Sequence, residues 1–199
     1  REDSGPLELR VRPRSGGAPV TVATGVEGAE YASWSPDGRA LAFAAGSPLQ
    51  VWVANLAGGD PRLLTPGGGD YPSWSPDGGL IAFAVWTDAS DPDQGTWLVP
   101  AQGGAARKVS DLPTRTVWGP DGGVLRQLRR EDDRLAVWEM RIGEETWRRR
   151  GEVELGGPLP IQMEFRPLTT RPGTDMLVLN RPATTSSLVV LEGLDPRRW

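Results

Sequence analysis

The residues best suited to chemistry in this chain are carboxylates, and three of them recur in the same setting. Asp37, Asp77 and Asp121 stand in the triplets Pro36-Asp37-Gly38, Pro76-Asp77-Gly78 and Pro120-Asp121-Gly122. Repeated carboxylates could serve a hydrolase as general acid and base. A turn fits the triplet better, because Pro presets φ, Asp hydrogen-bonds the backbone beyond it and Gly accepts a positive φ. A second acidic group, Asp88, Asp91 and Asp93 with Ser90 between them, offers the oxygen donors that Ca²⁺ takes. Its spacing misses the calcium-loop pattern, since no glutamate follows at the bidentate position and Pro92 interrupts. A solvated loop is the better reading, and Ca²⁺ is the one cofactor for which the sequence offers any candidate.

Other chemistries are excluded by composition. The chain has no His and no Cys, which removes imidazole bases, thiol nucleophiles, disulfides and the common zinc or iron sites. There is no G-x-S-x-G elbow and no Gly-rich phosphate loop, so no catalytic constellation stands out and a non-enzymatic role is expected. The net charge is −4, which argues against nucleic acid or an anionic membrane surface as a partner. The longest uncharged apolar run, residues 78–86, is nine residues long, whereas a helix crossing a bilayer needs about twenty.

Arginine and tryptophan supply the candidates for a protein contact. Arg126, Arg129, Arg130 and Arg134 are interleaved with Glu131, Asp132 and Asp133, and self-pairing is expected there. Arg148, Arg149 and Arg150 read as the less neutralised cluster, and as the preferred partner contact. Trp34, Trp74 and Trp118 each precede a Pro-Asp-Gly turn, as Ser-Pro-Asp-Gly or Gly-Pro-Asp-Gly, and are expected to pack between neighbouring sheets. Trp86, Trp147 and Trp199 are out of phase with these and are candidates for exposed contacts.

The elements that position these residues follow from a repeat. Tyr31-Ala-Ser-Trp-Ser-Pro-Asp-Gly38 returns as Tyr71-Pro-Ser-Trp-Ser-Pro-Asp-Gly78 after 40 residues, and the same offset carries Leu41-Ala-Phe-Ala44 onto Ile81-Ala-Phe-Ala84. A third copy at Trp118 lies 44 residues further on, and a degenerate fourth at Phe165 another 47. With 26 Gly and 19 Pro the chain is too often interrupted for long helices. Each unit reads as four short strands separated by turns. In the first unit these are Tyr31–Ser35, Ala40–Ala45, Leu49–Ala54 and Arg62–Thr65. The second has Tyr71–Ser75, Leu80–Trp86, Thr96–Pro100 and Arg107–Ser110, and the third Arg115–Gly119, Val124–Arg129, Arg134–Met140 and Thr146–Val153. Leu7–Val11 and Val20–Ala23 precede them, and Ile161–Phe165, Met176–Asn180 and Leu188–Leu191 follow, giving 17 strands.

Four-stranded sheets repeated at this period bury their faces by stacking radially, which makes an all-β propeller of antiparallel blades. The expected organisation is one propeller domain over residues 1–199, about four blades. Its units are 1–24 (partial), 25–65, 66–110, 111–155 and 156–199 (partial). At Ser33–Gly38 and Ser73–Gly78, each followed by an apolar strand with Phe43 or Phe83, the chain resembles the TolB-like propeller repeat of bacterial proteins. The resemblance covers roughly 150 residues. Members of that family are usually six-bladed, so the resemblance implies that about four blades are present and that the N-terminal part lies upstream; the alternatives are a smaller ring closed by the N-terminal strands and completion by another chain. The resemblance also implies a non-catalytic docking module for another protein, in the extracytoplasmic or periplasmic part of a membrane-associated assembly. The cytoplasm is compatible with the sequence as well. Two enzymatic alternatives share the fold: the gating domain of a prolyl-oligopeptidase-like serine peptidase, and a carboxylate-dependent propeller hydrolase.

Overall fold

The computed structural model of the chain describes residues 9–12, 17–23, 26, 28–132, 134–153, 166–170, 177–181 and 187–191. Among them are seventeen strands and no helix. The chain divides into two compact units, Arg1–Pro113 and Thr114–Trp199.

The first unit opens with a two-stranded antiparallel sheet of β1 (Leu9–Val11) and β2 (Val20–Ala23). Two four-stranded blades follow. Blade one is β3 (Glu30–Trp34), β4 (Ala40–Ala45), β5 (Gln50–Asn55) and β6 (Arg62–Leu63). Blade two is β7 (Asp70–Trp74), β8 (Leu80–Val85), β9 (Gly95–Pro100) and β10 (Arg107–Ser110). Both are meanders in which each strand pairs antiparallel with the next. The second strand of each is an Ala-rich apolar run buried on both faces, as expected of a strand sandwiched between sheets.

These buried strands make the core. Ala42, Val51 and Leu64 of blade one meet Ile81, Phe83, Val85, Val99 and Ala101 of blade two in a single cluster. Phe43, Ala45 and Ala54 face the other way, toward Leu9 and Val22 of the two-stranded sheet. Polar links reinforce the apolar seam. The Trp74 N–H donates to Ser33 Oγ at 3.1 Å, and Arg62 Nη2 donates to the Ala101 carbonyl at 2.7 Å.

In the second unit, β11 (Thr116–Trp118), β12 (Val124–Glu131), β13 (Arg134–Arg141) and β14 (Arg148–Val153) form another four-stranded meander. Then come β15 (Arg166–Thr170), β16 (Leu177–Arg181) and β17 (Ser187–Leu191), a three-stranded sheet. The strand expected at Ile161–Phe165 falls outside the described residues, as does the degenerate repeat residue Phe165. The strand found is β15, five residues later in sequence, with a register shift between Pro167 and Thr169. Pro has no N–H to give the ladder, and it sits where the ladder is irregular. All-β architecture with propeller-type antiparallel blades is therefore what this sequence makes.

Candidate functional site

The three Pro-Asp-Gly triplets form the turns between the first and second strands of their blades. Asp77 Oδ1 accepts the Ser75 hydroxyl at 2.6 Å and the Gly79 N–H at 3.0 Å, while Ser75 Oγ accepts the Leu80 N–H at 2.9 Å. Asp37 repeats the arrangement with Ser35, Arg39 and Ala40. These serine hydroxyls, and secondarily the backbone N–H groups, hold both carboxyls below the usual carboxylate range. In blade three Gly119 stands where the serine was, so Asp121 Oδ1 has the Gly123 N–H at 2.9 Å but no hydroxyl at that place. Each carboxylate is thus engaged with its own turn. Gly38, Gly78 and Gly122 all have φ near +70°, the conformation that the turn requires of them.

The tryptophans separate. Trp118 is 3% exposed, and Trp74 lies against the shared core of blades one and two, its indole N–H donating to the Gly78 carbonyl at 3.2 Å. Packing between blades does not extend to Trp34, which is 49% exposed; this corrects the expectation for that residue. The sheet before Trp74 has four strands, whereas the sheet described before Trp34 has two, which offers less surface to cover the ring.

The arginine cluster also differs from its reading as under-neutralised. Arg148 pairs with Glu144 at 3.3 Å, Arg149 with Glu131 at 2.9 Å and with Glu152, and Arg150 with Glu139 at 2.9 Å. Glu139 also holds Arg126 at 3.1 Å. Carboxylates on β12, β13, β14 and the turn between β13 and β14, none of them next to the cluster in sequence, supply the neutralisation. Trp147 is likewise engaged: the Arg129 guanidinium lies 4.7 Å from the Trp138 ring centre and 4.9 Å from that of Trp147. Burial lowers the Arg129 pKa from its usual value, and the two indole faces and Gln127 Oε1, at 2.9 Å, are its partners in place of water. Trp199 lies outside the described residues.

Trp86 remains open, at 56% exposed, and it has company. The Tyr71 ring meets it edge-on with centroids 6.4 Å apart, and Tyr31 lies 4.2 Å from Tyr71. Both tyrosines adopt φ near +50°, a conformation that costs a bulky residue about 1–3 kcal/mol. Each sits where the pairing of its strand shifts register, between Glu30 and Ser33 and between Asp70 and Ser73. The bulges turn the tyrosines so that successive blades bring their rings together. The Tyr71 phenol first, then burial and the Glu30 carboxylate, keep Tyr31 protonated well above the usual tyrosine range. An acid precedes each tyrosine, as Glu30 and Asp70, and Asp88 follows Trp86 by two residues. The repeated acid–Tyr pair is a signal that sequence reading passed over, because both tyrosines look like ordinary strand residues.

Asp88, Asp91 and Asp93 lie on the loop between β8 and β9. Asp91 Oδ1 accepts the Asp93 N–H at 2.8 Å and the Asp88 carbonyl accepts the Asp91 N–H at 2.8 Å, so the loop is folded on local hydrogen bonds. Among the described residues no group of three or more acidic side chains is placed to hold a metal ion. At the opposite end of the same blades an open groove of about 570 Å³ runs between the Pro-Asp-Gly turns, lined by Asp37, Arg39, Asp60, Arg62, Trp74 and Asp77 among others.

The class these features define is the β-propeller. No family model and no curated protein sequence matches the chain. Solved structures do: TolB from Acinetobacter baumannii superposes with a TM-score of 0.63 at 20% identity, covering 77% of this chain and 39% of that one. A puromycin-hydrolysing peptidase of Mycobacterium tuberculosis gives 0.61 at 19% identity, over 96% of this chain and 34% of that one. The β-propeller domain of the Trilobed protease from Pyrococcus furiosus gives 0.57 at 14%, over 94% and 62%. The likeness to a TolB-like propeller is therefore a likeness of fold, and the chain spans about two fifths of that TolB's length. Enzymes and TolB share this fold, and the blades alone do not choose between them.

Proposed function

We propose that this chain is a non-catalytic docking module, a TolB-like propeller scaffold that binds another protein. The observation carrying this is the Tyr31–Tyr71–Trp86 surface. Aromatic rings are the side chains from which protein contacts draw most of their energy, and here a 56% exposed Trp is met by Tyr71, which in turn packs on Tyr31, both tyrosines with backbones held in strained conformations. Nothing in blade packing calls for a Trp at position 86: the corresponding residue of blade one is Gly46. The contact is on loops and strand ends carried by rigid sheets, which is where propeller-type scaffolds have surface to spare.

The setting we propose is the extracytoplasmic side of a bacterial envelope, within a larger membrane-associated assembly. The two Ser-Trp-Ser-Pro-Asp-Gly repeats support it, and the absence of cysteine is compatible with it. Among the described residues no helix is long and apolar enough to cross a membrane; association would run through a partner or through an anchor upstream of this sequence. Affinity capture at native abundance tests the reading. The chain is expected to retain a defined protein that the Trp86→Ala variant releases, and a chain that stays monomeric and partner-free overturns it.

A further inference from the structure

The first unit distributes charge unevenly. Between residues 28 and 100 there are eight acidic residues and two basic ones, Arg39 and Arg62, and both arginines line the groove at the Pro-Asp-Gly end. The other end of these two blades carries Glu30, Asp70, Asp88, Asp91 and Asp93 with no Arg or Lys from this stretch. Elsewhere in the unit, the Lys108 Nζ is tied to the Pro92 carbonyl at 2.9 Å and to Asp111 at 2.7 Å. The aromatic group Tyr31, Tyr71 and Trp86 sits at this same end. It lies where β3 and β7 begin and β8 finishes, opposite the Pro-Asp-Gly turns.

An open indole face, flanked by phenols and set among carboxylates, is an environment of one sign. The π-face attracts a cation, the carboxylates add long-range attraction and short hydrogen-bond acceptors, and an anion is repelled by both. We infer that the Tyr31–Tyr71–Trp86 surface binds an arginine or lysine side chain presented by an extended basic segment of the partner protein, with the cation over Trp86 and Glu30, Asp70 and Asp88 as the surrounding acceptors. This rests on the docking reading above and specifies its partner's chemistry. The positive φ of both tyrosines fits the role, since the bulges hold the rings side by side before any ligand arrives.

The test uses the full chain, a fluorescently labelled oligoarginine peptide and its neutral oligocitrulline counterpart, read by anisotropy at low and physiological salt. Oligoarginine is expected to bind with an affinity that falls with salt, and oligocitrulline to bind much more weakly. Trp86→Ala should weaken oligoarginine about tenfold, Trp86→Phe should retain most of the affinity, and Glu30→Gln and Asp88→Asn should each weaken it severalfold. Trp86 is largely in solvent, so these variants fold as the parent does. Asp60→Asn, at the opposite end, should change binding less than about twofold. Equal binding of oligocitrulline, no effect of Trp86→Ala, or an Asp60→Asn effect as large as that of Glu30→Gln would each overturn the inference. If the chain captures a partner at native abundance yet fails these peptide tests, the inference is lost and the docking reading stands. Peptide binding as expected with no native partner does the reverse.

Discussion

Over residues 28–100, blades one and two gather their two arginines at one end and leave the other acidic, and blade three ties its charges together. Residues 28–100 hold eight acids and two arginines, whereas residues 115–153 hold eight acids and nine arginines, and in the latter stretch Glu131, Glu139, Glu144 and Glu152 all take arginine partners. The difference follows the strictness of the repeat. Where Ala-rich second strands and phased aromatic residues fill the seam between blades, burial alone holds the sheets, and surface charge is left unconstrained. Where the repeat decays, the fourth strand becomes Arg148-Arg-Arg150, and ion pairs with an Arg–Trp stack take over part of the work. A surface spent on internal ion pairs has little left to offer a partner; a surface left acidic and aromatic does.

The largest expected effect tests the first half of that contrast. Phe83, 3% exposed in the seam, is expected to cost about 3–5 kcal/mol of stability on Phe83→Ala, measured by denaturant unfolding. Removing the Arg129 side chain, which bridges Trp138 and Trp147, should cost less, about 1–2 kcal/mol, because an ordered cation–π stack at a partly exposed site contributes less than a buried phenyl ring. Arg129→Lys should recover only part of it, since a planar guanidinium fits between two indole faces and an ammonium does not. A loss at Arg129 equal to that at Phe83 would break the comparison, making charge as structural as the apolar seam.

The turns sharpen it further. Ser75, 1% exposed, donates to Asp77 and accepts the Leu80 N–H, so Ser75→Ala should cost about 1–2 kcal/mol. It should also raise the Asp77 pKa toward the ordinary value. Because the folded-state pKa of Asp77, like that of Asp37, lies below its unfolded value, the associated stability is complete above pH about 4 and is lost as pH falls through the folded pKa. Ser75→Ala should therefore flatten the acid limb of stability, followed by tryptophan fluorescence between about pH 5 and pH 2. In blade three, Gly119 occupies the place of Ser75, and a serine introduced there tests whether the hydroxyl can be restored to a decayed repeat. No gain from Gly119→Ser is expected, because a Cβ at Gly119 would collide with the Val124 side chain.

Much of this fold was legible because its signals are local and repeated. Pro-Asp-Gly marks a turn wherever it falls, and Ala40–Ala45, Val20–Ala23 and Arg107–Ser110 have the limits that apolar runs and turn residues indicate. What was missed depends on neighbours distant in sequence. Part of the neutralisation of Arg149 comes from Glu131, 18 residues away across two strand pairings, a partner that sequence spacing alone does not assign. The exposure of Trp34 depends on how many strands stand beside it, which its repeat position does not encode. The site was half visible: Trp86 stood out by being out of phase. Its contact with Tyr71, and that ring's with Tyr31, did not, because a tyrosine at positive φ is contrary to its type and only the fold enforces it.

The smallest expected effect is at Arg148. It is exposed and its carboxylate partner Glu144 is itself partly in solvent, so the pair contributes little once side-chain entropy and salt screening are counted. Arg148→Ala should change unfolding stability by less than about 0.5 kcal/mol, and still less at high salt. Its value lies in separating two roles for the cluster. If Arg148→Ala leaves stability unchanged but weakens capture of the native partner, then the second unit also meets that partner, and pairing within β14 does not exhaust what these arginines do. If neither changes, recognition belongs to the acidic, aromatic end of the first two blades, and the arginines of the third are there to hold a sheet whose repeat no longer supplies enough apolar surface.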